Sequence, residues 1–271
     1  MPITQKTIDA GRLTLSYVEC GGGDPLVFLH GLSGRWQVWS QEIGLLAHRW
    51  RVFAVDARGH GESSPAPDGR YDFRALTEDA IAFLEGAVQG AAVLVGHSLG
   101  AVTAAGVAGE RPDLVRAVVL EDPPFYIPAF LDKTGFHERF VAGRERGRAG
   151  MAAEDVAEAL LEADPAADAA RARATAASHT RMDPEAWTPH IEMTSLDTFD
   201  SDAILAKIEC PVLLLQADPD LDAALLPGEE KRVVSLVRDC TLVQFSGVGH
   251  GIHRGDPIAF RRVLFDFLDT V

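Results

Sequence analysis

The sequence predicts an α/β protein: a mostly parallel, doubly wound sheet with a helical insertion after its sixth strand. Three observations carry this expectation. Short β-branched or leucine-rich runs recur along the chain, continuous in the way of strands buried on both faces. Helix-like segments separate them. Between Pro123 and about Ile204 the alternation stops, and only helical patterns remain.

The elements follow in order. "LTLSYVE" (13–19) alternates apolar and polar residues, as a half-buried strand does. "PLVFLH" (25–30), "RVFAVD" (51–56), "AAVLVG" (91–96), "VRAVVLED" (115–122), "CPVLLLQAD" (210–218) and "CTLVQF" (240–245) are the buried-strand runs. Helical segments are expected at about 36–48, 73–86, 99–110, 228–238 and 257–269. The last opens on Pro257, suited to a first helical turn, and repeats apolar residues at three-to-four spacing. Within the interruption, "AAEDVAEALLEAD" (152–164) and "AADAARARATAASHTRM" (166–182) read as helices, and the whole stretch is too long for a simple loop. The expected organisation is therefore a core of residues 1–122 and 205–271 with a helical unit at 123–204.

With 271 residues, 47% hydrophobic and 24% charged, the chain can bury a substantial core. A net charge of −15 repels nucleic-acid phosphate and anionic lipid, so neither is an expected partner. Cys20, Cys210 and Cys240 are scattered and lack metal-ligand spacing, as expected of inert thiols in a reducing compartment. The N-terminal "MPITQKTIDAGR" lacks the apolar core of a signal peptide. Residues 90–109 form an uncharged run long enough to span a bilayer, but a buried strand turning into a buried helix explains it better. The expectation is a soluble, cytoplasmic monomer or homodimer that acts on a small molecule.

"VLVGHSLGAV" (93–102) sets Ser98 between Gly96 and Gly100 where a strand run gives way to a helical one. A nucleophile on such a turn has a strained backbone, so the positions two before and two after it must be small. N–H groups at the start of the helix then point to where an oxyanion would develop. A second turn, His30-Gly31 at the end of the 25–30 run, can aim the next N–H at the same place. The expected oxyanion donors are the backbone N–H groups of Leu32 and Leu99, a choice that rests on position alone.

Four stretches, "HGLSG" (30–34), "DARGHGES" (56–63), "GHSLG" (96–100) and "GVGHGIH" (247–253), resemble in order and spacing the α/β-hydrolase superfamily. The resemblance covers nearly the whole chain except 123–204, where that superfamily carries a variable helical cap. It implies the α/β-hydrolase type of sheet and a Ser-His-acid triad. His250, in "SGVGHGIH", then matches the histidine loop, with His253 as its rival. His30, His60 and His97 are expected to orient loops or pack.

The acid is open. In the loop "ADPDLD" the family pattern maps it to Asp220, although Ala217 stands where glycine is usual, which keeps Asp218 possible. The superfamily also places its acid after the sixth strand, which here offers Asp122 and, less well placed, Glu121. Asp220 is the first choice and Asp122 the alternative.

No phosphate-binding Gly-rich pattern and no His/Cys/carboxylate metal spacing is present, so no cofactor and no metal are expected. Arg35 could meet an anionic substrate. Phe125 and Trp187, with Tyr126, Phe130, Phe136 and Phe140, could form an apolar lid or the cap's own core. The resulting expectation is an esterase- or lactonase-like serine hydrolase working through an acyl-enzyme. Two alternatives stand beside it: a carbon–carbon bond hydrolase or lyase using the same triad, with Arg35, Arg144 or Arg181 binding a carboxylate, and a ligand receptor on a hydrolase fold.

Overall fold

Eight strands form one sheet in the order β1-β2-β4-β3-β5-β6-β7-β8. They are β1 (Thr4–Asp9), β2 (Thr14–Gly21), β3 (Pro25–Leu29), β4 (Arg51–Val55), β5 (Ala92–His97), β6 (Val115–Glu121), β7 (Val212–Gln216) and β8 (Cys240–Gln244). The computed structural model describes residues 2–126, 135–165 and 167–271. β1 and β2 pair antiparallel, β2 pairs antiparallel with β4, and every later pairing is parallel.

The central strands read as unbroken apolar runs because both faces are covered. Val27 and Leu29 of β3, Leu94 of β5, and Val118 and Leu120 of β6 face one layer. Leu26 and Phe28, Val93 and Val95, and Ala117 and Val119 face the other. β1 escaped the sequence reading because "TQKTID" carries one apolar residue; it is an exposed edge strand held by its pairing with β2.

The helix Leu99–Glu110 buries every residue but its last. It lies between the sheet and the helix Phe73–Phe83, and its Gly106 leaves no room for a Cβ beside Thr77. That position explains the uncharged run at 90–109. Among the described residues, no helix is long and apolar enough to cross a membrane.

Between β6 and β7 the described residues form helices, including Phe136–Arg148, Ala153–Ala163 and Ala169–His179, and contribute no strand to the sheet. One isolated bridge, Met182 to His60, ties this segment to the loop after β4. The chain steps one way from β3 to β4 and the other way from β3 to β5. Ligands of open α/β sheets bind in the crevice beyond the strand ends at such a reversal. The loops after β3, β5 and β6 all open there.

Candidate active site

Ser98 follows β5 directly and caps the next helix with φ 53° and ψ −115°, outside the space that L-residues favour. Two close approaches enforce that geometry. A Cβ at Gly96 would run into the carbonyl of Gly100, and one at Gly100 into the carbonyl of Leu29. The turn is thus wedged against the end of β3, and glycine is the residue that fits at both positions. The Ser98 N–H donates to the Glu121 carbonyl at 2.9 Å, fixing the turn to the end of β6. In the first turn of the helix the Leu99 N–H has no intrahelical acceptor and points out of the helix end.

The loop after β3 lies against the same turn. A Cβ at Gly31 would sit 3.2 Å from the Ser98 Cβ and 2.6 Å from His97 Nδ1, so Gly31 permits the contact and Leu32 follows it directly. His30 holds the loop in shape. Its Nε2 accepts the Ala57 N–H at 3.0 Å, which makes Nδ1 the donor to the Gly31 carbonyl at 2.8 Å. Burial pushes the His30 pKa down to about 4, which keeps this neutral tautomer. Asp56, at the end of β4, accepts the Trp36 N–H at 2.8 Å and the Glu62 N–H at 3.2 Å, joining the two loops. His60, its Nδ1 2.8 Å from the Arg58 carbonyl, is likewise a buried loop residue.

His250 Nδ1 lies 2.7 Å from Asp122 Oδ2. Asp122 is fully buried and accepts the backbone N–H groups of Ala217 (3.2 Å), Ala224 (2.7 Å) and Leu225 (3.3 Å). Its own φ of 45° turns the chain out of β6 at that residue. Asp220, the expected partner, is exposed, and its N–H donates to Asp218 Oδ1 at 2.9 Å. The first choice of acid is therefore corrected: the carboxylate on the histidine ring comes from the end of β6. The acids after β7 hold the histidine loop by its backbone instead. Asp218 accepts the Gly247 N–H at 2.6 Å, and Asp222 accepts the His250 N–H at 2.8 Å. His97 Nε2 lies 3.0 Å from the His250 carbonyl, with the two rings 4.7 Å apart, so the histidine loop is clamped to the residue before Ser98.

The family model for the alpha/beta hydrolase fold matches residues 24–228. The chain belongs to this family. Over 122 residues it is 38% identical to a 2-(acetamidomethylene)succinate hydrolase of Mesorhizobium japonicum, a match spanning 45% of this chain and 44% of that protein. The crystal structure of an E-2-(acetamidomethylene)succinate hydrolase superposes with a TM-score of 0.80 at 25% identity, covering 99% of this chain and 100% of that one. An enol-lactonase from Burkholderia xenovorans shares the fold at 20% identity, with a TM-score of 0.77 over 97% of this chain and 100% of its own.

The chain holds a second carboxylate–histidine pair that spacing alone did not reveal. His253 directs both its backbone N–H and its Nδ1 at Glu121, at 2.8 to 2.9 Å. With His97 these residues are the one group of three potential metal-ligating side chains found among the described residues, their donor atoms within 4.8 Å of one another. Within the group His253 Nδ1 bonds to Glu121 and His97 Nε2 lies 3.0 Å from the His250 carbonyl, while His253 Nε2 has no hydrogen-bond partner among the described residues.

Beside the loop after β3 the chain has a cavity of about 200 Å³. Its walls bring together Gly31, Arg35, His253, Arg254 and, from the helix Ala169–His179, Arg171 and Ser178. Arg35 was singled out in the sequence; Arg171 was hidden in an alanine-rich helix and Arg254 beside the histidine loop. Phe125 and Trp187 take other places. Phe125 is 1% exposed within the main core, and Trp187 packs with Tyr71, Met182 and Ile191. Neither lines this cavity. Arg144 and Arg181 are paired with Glu145 and Glu62. Tyr126 donates to Asp202 at 2.9 Å, Phe136 stands edge-on to His250 at 5.2 Å, and Phe140 packs on Trp187; Phe130 lies outside the described residues.

Proposed function

We propose that the chain is a serine hydrolase that cleaves a small ester or lactone through an acyl-enzyme on Ser98. The single observation that carries this reading is the His250–Asp122 pair, built beside a serine whose backbone is held in a strained turn. A buried carboxylate on Nδ1 keeps that nitrogen protonated and leaves Nε2 as the base. Three backbone donors hold Asp122 in place, so that it orients the imidazole.

In the reaction Ser98 Oγ attacks the substrate carbonyl while His250 Nε2 takes the hydroxyl proton. The carbonyl oxygen becomes an oxyanion held by the N–H groups of Leu32 and Leu99. As the intermediate collapses, the bond to the leaving group breaks and His250 returns the proton to it. Water then attacks the acyl-enzyme with His250 again as base, releasing the acid and restoring Ser98. Residues 1–122 and 205–271 serve as the catalytic core and 123–204 as its cap. The name of the 38% identical relative contains an acetamido group, which extends the candidate bonds to amides.

A fluorophosphonate probe and a panel of short esters, lactones and amides test this reading. Ser98 should be labelled at one equivalent per chain. Ser98→Ala should lose labelling and at least about 10⁴-fold in kcat. Turnover that survives Ser98→Ala, or labelling at another residue, refutes it. The carbon–carbon alternative would appear as turnover of a diketone acid with none of the ester panel.

A further inference from the structure

We propose that the cavity behind the oxyanion loop seats a carboxylate arm of the substrate, held by Arg35, Arg171 and Arg254. The inference rests on Ser98 being the nucleophile and specifies the class of substrate: a small carboxylic acid whose second carbonyl group is the one cleaved.

Three separated parts of the chain send an arginine to this cavity: the loop after β3, the helix Ala169–His179 and the segment after the histidine loop. Among the described residues none of the three forms an ion pair, whereas Arg144, Arg148 and Arg181, between β6 and β7 like Arg171, all do. Carboxylates are plentiful: 40 acidic residues stand against 25 basic ones. Leaving three guanidinium groups unpaired around one hollow is therefore a local arrangement and not a shortage of partners. It also counters the field of the whole molecule, since a net charge of −15 repels an anion everywhere that cations are not gathered.

The arginines carry the cost of that arrangement. Burial, and then the Arg171 charge, push the Arg254 pKa down, and burial followed by the Arg181 charge does the same to Arg35. A bound anion relieves both effects. Arg35 is partly steered by its Nε, 3.2 Å from Ser178 Oγ, which leaves its terminal nitrogens available to a planar carboxylate.

The cavity is close enough to the reaction centre for one small molecule to reach both. Gly31 and Leu32 line it, and a Cβ on Gly31 would lie 3.2 Å from the Ser98 Cβ. A volume of about 200 Å³ suits a carboxylate with a short carbon chain. His97 does not compete as a cation, because burial and its histidine neighbours hold its pKa well below the ordinary value.

Monomethyl glutarate and monomethyl adipate, compared with their neutral dimethyl esters, provide the test. The parent should favour each half-ester by at least about 10-fold in kcat/KM, and high salt should shrink the preference. Arg171→Gln and Arg254→Gln should each cut the ratio of half-ester to diester by about 10-fold, as loss of a charge-assisted hydrogen bond would. Arg171→Lys should restore part of it. A lesion of folding alone lowers both esters and leaves the ratio intact. Glutarate supplies a readout without turnover: it should slow fluorophosphonate labelling of the parent, and less so in the two glutamine variants. Absent labelling of Ser98 refutes the nucleophile itself. Normal labelling that glutarate does not slow, or a half-ester preference unchanged in both variants, overturns the anion seat alone.

Discussion

Glu121 and Asp122 are neighbours in sequence, and each holds a histidine by Nδ1: Glu121 holds His253, and Asp122 holds His250. The chemistry is the same and the surroundings are not. Glu121 is the last residue of β6 and its carboxylate also takes the His253 backbone N–H, so both ends of the contact are locked. The His253 ring lies 4.4 Å from Trp39 and 6.0 Å from Phe260, and its Nε2 is buried without a partner among the described residues. Asp122 has left the strand, binds three N–H groups, and holds an imidazole that lies against His97, beside Ser98. In the proposed reaction the Asp122–His250 pair acts through the second nitrogen of its imidazole. Where that nitrogen faces aromatic packing, such a pair is a brace.

The contrast can be broken most sharply at Asp122. Asp122→Asn should lower kcat by about 10⁴-fold, because an amide can stabilise the wrong imidazole tautomer. Steady-state hydrolysis of a short ester, with fluorophosphonate titration of active sites, measures it. A comparable loss in Asp220→Asn, which should stay within about 2-fold as an exposed substitution would, reverses the assignment of the acid.

Gly31→Ala should follow, at about 10²-fold in kcat. The added methyl would press on His97 and Ser98 and shift the Leu32 N–H, and losing one oxyanion donor has an effect of this order. An unchanged KM with a reduced kcat is the expected signature.

Glu121→Gln sharpens the comparison from the other side. It should cost about 2 kcal/mol in urea unfolding, since the buried His253 loses its charged acceptor. Folded, titrated enzyme should keep kcat within a few-fold. A loss as deep as that of Asp122→Asn shows that the brace takes part in the chemistry.

A last effect, on stability alone, concerns histidines with no carboxylate on the ring. Burial lowers the pKa of His30 to about 4, of His60 to about 3 and of His190 to about 3. The unfolded chain therefore binds protons that the folded chain refuses below pH ~6.5, and stability falls as the pH drops from there toward the folded pKa. At pH 5 each such group costs about 2 kcal/mol. The urea midpoint should decline between pH 7 and pH 5, and a flat profile over that window contradicts it.

The layout of strands and helices was legible because β3, β5, β6 and β7 are buried on both faces and read as plain apolar runs. The strained turn at Ser98 was legible because two glycines two residues away have no substitute there. His250 came from a loop motif. The carboxylate on the His250 ring was not decided by any local pattern: Asp122 and Asp220 both follow a strand, and only the φ of 45° at Asp122 and the three N–H groups around it separate them. β1 was missed because an edge strand needs no apolar alternation. Arg171 and Arg254 were missed because a cavity shared by distant segments leaves no spacing to read.

The Asp122–His250 bond joins residues 128 positions apart, and its three backbone donors lie about a hundred positions beyond Asp122. Nothing within the first half of the chain can complete it. Closing so long a loop is paid in chain entropy before any contact across it forms. During refolding, the turn at Ser98 and the loop after β3 can assemble with the early strands before His250 is in place. Labelling of Ser98 should therefore return with the slowest phase of refolding, after the helical signal has recovered, so that its reactivity reports completion of the fold.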